Sequence, residues 1–417
     1  MAHSTLTMPS DTEHPDRHPP RASWSDNDGV AALHAVADAV DQLAGSMPER
    51  RITGEAPPAD VAELPIRNLP SHLQFARYWR DRGEAYLRQA QMRTCPVCRA
   101  DDSTPWFHTQ DGYRYDICNR CRMTFIPAVV PMEAWDRYFA ELPDARSALA
   151  AQMEAAVSTD TEELNRRRFG RYFDVLRRHG AAERGQRLLD IGTFTGGSLR
   201  VATAHGIDAF GVEGLQEAVR FCHHRFPNQR VALAHAESLD PATFGGGFDV
   251  VTMWETLEHT FDPMAALAGA RGVMRPGGWL AITVPNARNL QFSMLRDYCF
   301  YAYGGYQGVG HLNMFTPATL RVALENSGFD VVHEETEFGT DWRQIAYYLQ
   351  HRFDRIYCFR NLIRLGEFTQ APGPELSQIL NWLSPALSRL ENACLAGPIA
   401  LLLAKQRPEP SDRIAAR

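Results

Sequence analysis

Apolar residues along this chain follow two patterns whose alternation predicts an architecture. Short apolar runs of strand length at 187–191, 208–213, 230–234, 248–253, 279–284 and 329–335 alternate with stretches where apolar residues recur at three- and four-residue spacing. Strands alternating with helices imply a parallel sheet covered on both faces, so the expected fold class is α/β and doubly wound. Gly328 marks a helix stop before the sixth strand. Outside this region the spacing is helical: Val30 to Leu43, Phe75 to Gln91, and two or three helices between Met132 and His179. Ile345, Tyr348, Leu349, Phe353 and Ile356 form one apolar stripe, and Leu376, Ile379, Leu380 and Leu383 another. Ser384 and Pro385 read as the cap and first residue of a further helix ending at Gly397. Residues 1–27 are polar enough to expect disorder, and 46–70, with several prolines, read as a linker.

Composition adds limits. With 417 residues, 44% hydrophobic and 22% charged, the chain has room for two or three globular domains with proper cores. A net charge of −7 argues against nucleic acid or an anionic membrane surface as the main partner. No basic segment followed by an apolar run opens the chain, and Pro398 to Ala404 is too short to span a bilayer and reads as a buried strand. The expected location is the cytoplasm.

In such a compartment, paired cysteines suggest metal before disulfide. Cys95-Pro96-Val97-Cys98 and Cys118-Asn119-Arg120-Cys121 are 19 residues apart, the spacing of two knuckles closing on one tetrahedral zinc ion. Four thiolates leave no open coordination position, so the zinc would be structural; redox-active or incidental pairs are the weaker alternative. Trp106-Phe107-His108 and Asp111 to Tyr115 suggest the hairpin of a zinc ribbon, turning at Asp111-Gly112. Cys222, Cys299, Cys358 and Cys394 sit in apolar or aromatic surroundings and read as buried thiols.

The stretch Leu188-Leu189-Asp190-Ile191-Gly192-Thr193-Phe194-Thr195-Gly196-Gly197 carries the candidate chemistry: a strand runs into a glycine turn bearing an acid. Phe194 stands where a dinucleotide loop needs its second glycine, and no Walker lysine follows, so pyrophosphate and triphosphate are disfavoured. Ala209-Phe210-Gly211-Val212-Glu213 ends in an acid 21 residues after Gly192, the offset at which such folds hold ribose hydroxyls. A nucleoside without phosphate suits both features.

At these residues the chain resembles the class I S-adenosylmethionine-dependent methyltransferases. The match continues through Phe248 to His259, Met274 to Leu280, and Val284-Pro285-Asn286. The resemblance implies a Rossmann-like sheet of seven strands, with Ile399 to Ala404 as an antiparallel seventh and 340–397 as a helical insertion. It also implies that S-adenosylmethionine is held by Asp190, Gly192, Thr193, Gly196, Glu213, Glu237 and Trp254. Asp190 can fix the loop or a ligand amine. His235 occupies the usual adenine-facing acid position, leaving that task to Glu237 or a backbone group. Val284-Pro285-Asn286 is not the motif associated with methylating adenine or glutamine nitrogens. The expected divisions are a tail and helical arm (1–91), the ribbon (92–131), a helical connector (132–185), the methyltransferase domain (186–406) and a tail (407–417).

Methyl transfer from sulfonium is an in-line displacement, and a hydroxyl acceptor profits from a positioned base. His259 and His311 lie in segments beyond the carboxyl ends of the strands and are the candidates for that base, each balanced against a structural role. Tyr298, Tyr301, Tyr303 and Tyr306 could wall the acceptor site. Arginines 166, 167, 168, 171, 177 and 178 could face RNA, but a solvated helix face paired with Glu162, Glu163 and Asp174 is the favoured reading. The expected substrate is a small molecule, a sugar or glycosylated natural-product hydroxyl. An RNA substrate and a non-catalytic scaffold are the alternatives. The apolar stripes of 340–397 are expected to pack within the chain or form a homodimer rather than meet a membrane.

Overall fold

A computed structural model describes residues 90–108, 114–129, 143–241, 246–289, 310–337 and 386–408. The N-terminal helices, the hairpin turn at Asp111-Gly112, the tyrosine-rich loop and both apolar stripes of the insertion lie outside the described residues.

Seven strands form one sheet: β6 (Arg187–Ile191), β7 (Asp208–Glu213), β8 (Val231–Leu233), β9 (Phe248–Trp254), β10 (Met274–Pro285), β12 (Phe329–Glu337) and β13 (Ile399–Gln406). Their spatial order is β12-β13-β10-β9-β6-β7-β8, with β13 antiparallel to both neighbours and the β8-β7-β6-β9-β10 pairs all parallel. Residues one apart face opposite layers, so each central strand feeds two cores. Leu189, Ile191, Val251, Met253, Leu280 and Ile282 pack with α5 (Pro263–Val273) and α6 (Pro317–Asn326) on one face. On the other, Leu188, Val250, Ala281, Leu401 and Leu403 pack under α2 (Thr159–Arg178) and α3 (Gly197–Ala204). α1 (Pro143–Ala156) sets Leu149 and Met153 against Ala218 of α4 (Gln216–Arg225).

Sequence patterning locates these strands within a residue or two, except β10. It begins at Met274 and bends through a register shift between Met274 and Trp279, where Gly277 takes φ +73°. Gln91, expected to end a helix, instead pairs with Val129 in a short ladder of β1 (Gln91–Met92) and β5 (Ala128–Val129). The hairpin strands are β2 (Ser103–His108) and β3 (Arg114–Cys118), followed by β4 (Thr124–Phe125). The segment 92–131 does not complete its own sheet. β11 (Asn313–Met314), from beyond β10, adds to β4 as an outer strand. Cys95, Cys118, Met123 and Phe125 accordingly share one core with Leu189, Ile282 and Phe315.

None of the described helices is long and apolar enough to cross a membrane.

Candidate functional site

Parallel strands bind ligands beyond their carboxyl ends where strand order reverses, here at the ends of β6, β7 and β9. Gly192 leaves β6 at φ +78°, and a Cβ there would come within 2.4 Å of the Thr256 hydroxyl oxygen. Phe194, at φ 47°, donates its backbone N–H to Glu213 Oε2 at 2.8 Å, and the Leu215 N–H reaches Glu213 Oε1 at 2.9 Å. The acid at the end of β7 thus ties the glycine loop to its own strand end, and each oxygen retains lone-pair capacity for a ribose hydroxyl. Burial holds the Glu213 carboxyl above its ordinary pKa.

Asp190 is buried and accepts hydrogen bonds from the Ser198 and Thr252 hydroxyls, the latter at 2.7 Å. Burial raises its pKa to about 6 against those bonds. Of the two roles expected for it, loop fixation is the one its contacts describe. Gly196 sits at φ +73° as the N-cap of α3, and the space its missing side chain leaves belongs to Gln229, which donates to the Gly196 carbonyl at 2.9 Å. Its glycine therefore makes room for protein rather than for a ligand. Thr193 is buried beside Gly211. Trp254 was expected on the cofactor, but its side chain is 8% exposed and lies under α2, stacked on Tyr172 at 4.8 Å. Phe169 and Phe173 complete that aromatic group. Glu237 is half-buried and accepts from the Phe261 N–H at 2.8 Å, while the His235 ring crosses Gly214.

The two histidines meet. His259 ends a 3-10 turn (Leu257–His259) after β9, and its ring stands 4.9 Å from that of His311 in a T-shaped pair. A carbonyl can only accept, so the 2.6 Å contact between His259 Nδ1 and Gly310 O fixes the proton on Nδ1 and leaves the Nε2 lone pair open. Dense surroundings lower the His259 pKa, although 46% of its side chain reaches solvent. His311 is buried, and Asn313, expected as a donor near it, spends its amide on Thr260 O at 2.6 Å. Glu258 sits beside them, 1% exposed, with Oε1 3.8 Å from His259 Nε2.

The ribbon carries the His311 loop. The Tyr115 hydroxyl donates to His311 O at 2.6 Å, the Ile126 N–H to Leu312 O at 3.1 Å, and Arg93 to both Leu312 O and Phe261 O. Arg99 pairs with Asp262, the N-cap of α5. Inside the ribbon the two cysteine pairs have the same local geometry. Arg99 and Arg122, each following a second cysteine, take φ 61° and 64°, and each donates its N–H to the first cysteine's carbonyl. The Sγ atoms of Cys95 and Cys121, and of Cys98 and Cys118, are 3.5 Å apart, and all four lie within 4.8 Å of one another. Tetrahedral zinc with bonds of about 2.3 Å separates its sulfurs by about 3.8 Å, so the four thiols fit that ion.

Residue-level reading of the sequence assigns no role to Tyr172, Glu255 or Glu337, and does not expect Arg168 to reach beyond its own helix. Arg168 reaches Glu255 at 3.0 Å, Tyr172 and Arg171 bond Glu337, and Arg171 also bonds Glu335 at 2.7 Å. The favoured pairing of the arginine run is seen within α2 for Arg166 and Arg167 with Glu163, and for Arg177 with Asp174. Glu162 pairs instead with Arg200 of α3.

Residues 164–334 match the family model described as a methyltransferase domain. The chain is 29% identical over 136 residues to the O-methyltransferase rstn1 of Aspergillus nomiae, covering 31% of this chain and 57% of that one. It is 33% identical over 105 residues to the ubiquinone biosynthesis O-methyltransferase of Aromatoleum aromaticum, covering 24% and 45%. The chain thus spans about half the length of these curated relatives. A solved S-adenosylmethionine-dependent methyltransferase from Archaeoglobus fulgidus aligns at 18% identity and a TM-score of 0.38, covering 59% of this chain and 94% of that one.

Proposed function

We propose that this protein transfers the methyl group of S-adenosylmethionine to an oxygen of a small-molecule acceptor, a hydroxyl on a sugar or glycosylated natural product. The observation that carries the reading is the coupling of the β6 turn to Glu213, which would suit a nucleoside at the same carboxyl-end edge of the sheet from which His259 follows β9. The cofactor's ribose would lie on Glu213 and its adenine near Glu237, with Asp190, Gly192, Thr193 and Gly196 shaping the loop around it. Trp254 supports the site from beneath. The O-methyltransferase names of the relatives favour oxygen over nitrogen as the acceptor atom.

In the transfer, an acceptor oxygen forms a bond to the methyl carbon as the carbon–sulfur bond breaks and its electron pair goes to sulfur. The enzyme's share is alignment and loss of the hydroxyl proton. The His259–His311 pair marks where that proton leaves. A structural zinc ion in the cluster of Cys95, Cys98, Cys118 and Cys121 would hold the ribbon that supports the His311 loop. Reduced thiols in that cluster suit the cytoplasm.

The arginines of α2 weigh against RNA, because Arg166, Arg167, Arg168, Arg171 and Arg177 are each paired with a carboxylate. The deciding experiment incubates the protein with methyl-tritiated cofactor and mixed small-molecule and RNA fractions from a cell extract. Label is expected in the small-molecule fraction. Label confined to RNA, or none anywhere despite cofactor binding, overturns the proposal.

A further inference from the structure

Glu258 is unusual among the carboxylates of the described residues. It is 1% exposed, and neither of its oxygens accepts a hydrogen bond from another described residue. Burying a carboxyl without partners costs several kcal/mol, and the other two buried carboxylates near the strand ends, Asp190 and Glu213, are both hydrogen-bonded. The 3-10 turn that buries Glu258 also presents His259, and the loop crossing it presents His311. One ligand atom from each of the three residues lies within 4.8 Å of the other two.

His259 is prepared for coordination as well. A metal-bound imidazole typically gives its other N–H to a carbonyl, which fixes the tautomer and turns the remaining lone pair toward the ion. The bond from His259 Nδ1 to Gly310 O does this and leaves Nε2 on the Glu258 side, 3.8 Å from Oε1. The His311 backbone is held independently, through Tyr115 and the β4–β11 ladder.

We propose that Glu258, His259 and His311 bind a divalent transition-metal cation, and that this cation receives the methyl acceptor. Two imidazoles and one carboxylate match manganese, iron, cobalt or zinc better than magnesium, which favours all-oxygen sites. Three protein ligands leave open positions on a six-coordinate ion. Two adjacent open positions suit an acceptor whose hydroxyl neighbours a second oxygen, as in a vicinal diol. Binding to the cation acidifies the hydroxyl, which loses its proton to solvent and presents an alkoxide to the sulfonium methyl. The histidines thus act as ligands rather than as proton acceptors. The acceptor part of this inference rests on the methyltransferase reading; the cation site does not.

The test uses the full chain, freed of loosely held metal by a weak chelator and confirmed by elemental analysis to retain one zinc in the ribbon. Manganese(II) is then titrated in while its free-ion electron paramagnetic resonance signal is followed. Wild type should quench one equivalent. Glu258→Gln and His311→Ala should weaken binding at least about tenfold, the scale on which lost coordination support shows in metal affinity. Thermal denaturation controls for folding: manganese should raise the Tm of wild type and leave that of Glu258→Gln unmoved. Failure to quench in wild type, or equal quenching by Glu258→Gln, overturns the site. If methyl transfer proceeds at full rate without manganese, the cation proposal falls while the methyltransferase reading stands. If manganese binds but no transfer occurs and S-adenosylhomocysteine does not bind, the methyltransferase reading falls alone.

Discussion

Asp190 shows how a motif can mark a residue without naming its neighbours. The acid at the end of the first strand is legible because it precedes a glycine turn, but the direction of its side chain depends on Ser198, eight residues on, and Thr252 on an adjacent strand. Trp254 teaches the same lesson: it falls within a motif that the resemblance sets against a cofactor, yet strand alternation points its ring toward α2. Glu258 was visible only as half of a Glu-His pair, and its lack of hydrogen bonds is a property of packing. For Asp190 the burial has a measurable consequence. Its folded pKa of about 6 exceeds the ordinary 3.8, so between those values the folded state binds more proton than the unfolded one. Stability contributed at this position is therefore greatest at low pH and falls as pH rises through about 6. The Asp190→Asn variant carries no such ionisation. Its Tm relative to wild type should rise between pH 5 and pH 7.5 in differential scanning calorimetry; a constant difference contradicts the assignment.

Elements were more legible than residues, because strand and helix periods report which face is buried. The six parallel strands follow from apolar runs and their alternation with helices, whereas the antiparallel direction of the strand at Ile399–Gln406 comes from the resemblance. What patterning cannot show is pairing between segments far apart in sequence. β11 is two residues long, too short to carry a period, and its place beside β4 is set by pairing with a segment nearly 190 residues earlier. α2 is similar: its charges read as solvated, but Arg171 and Tyr172 clamp Glu337 at the end of β12, tying the sheet edge to the helix that covers Trp254. Glu337→Ala leaves the buried Tyr172 hydroxyl without its acceptor while Arg171 keeps Glu335, and should cost about 2 kcal/mol, read as a lower urea midpoint with an unchanged m-value. Tyr115→Phe acts at the other junction. It removes the hydrogen bond to His311 O, so turnover should drop about tenfold as the loop loosens while affinity for S-adenosylhomocysteine, held by the distant Glu213, is retained. Equal loss of both would assign Tyr115 to general stability instead.

At the scale of the whole molecule, the described cysteine-bearing segment and the seven-stranded sheet share one core. Zinc-ribbon cysteines usually close a small module, but here the module's sheet is completed by the strand that follows His311, and its thiols lie in the core shared with Leu189 and Ile282. The nucleoside half of the site depends on β6, β7 and their turns, none of which touches the ribbon's hydrogen bonds to the loop. Removing a metal held by the four cysteines should therefore separate the two halves of the proposed site. Four-thiolate zinc sites contribute folding free energy directly, so extraction with a strong chelator or a thiol-reactive mercurial releases the knuckles and with them β4 and β11. The expected product binds S-adenosylhomocysteine within about threefold of the native affinity by calorimetry and has lost methyl transfer. Amide exchange should rise first at Phe125, Ile126 and Asn313 and remain slow along β6 and β9. Cys95→Ser and Cys118→Ser should reproduce this pattern with zinc content well below one per chain. If exchange rises evenly through the sheet, the ribbon is a stability element of the entire fold; if transfer survives zinc loss, His311 is held by the loop alone and the ribbon has no part in presenting it.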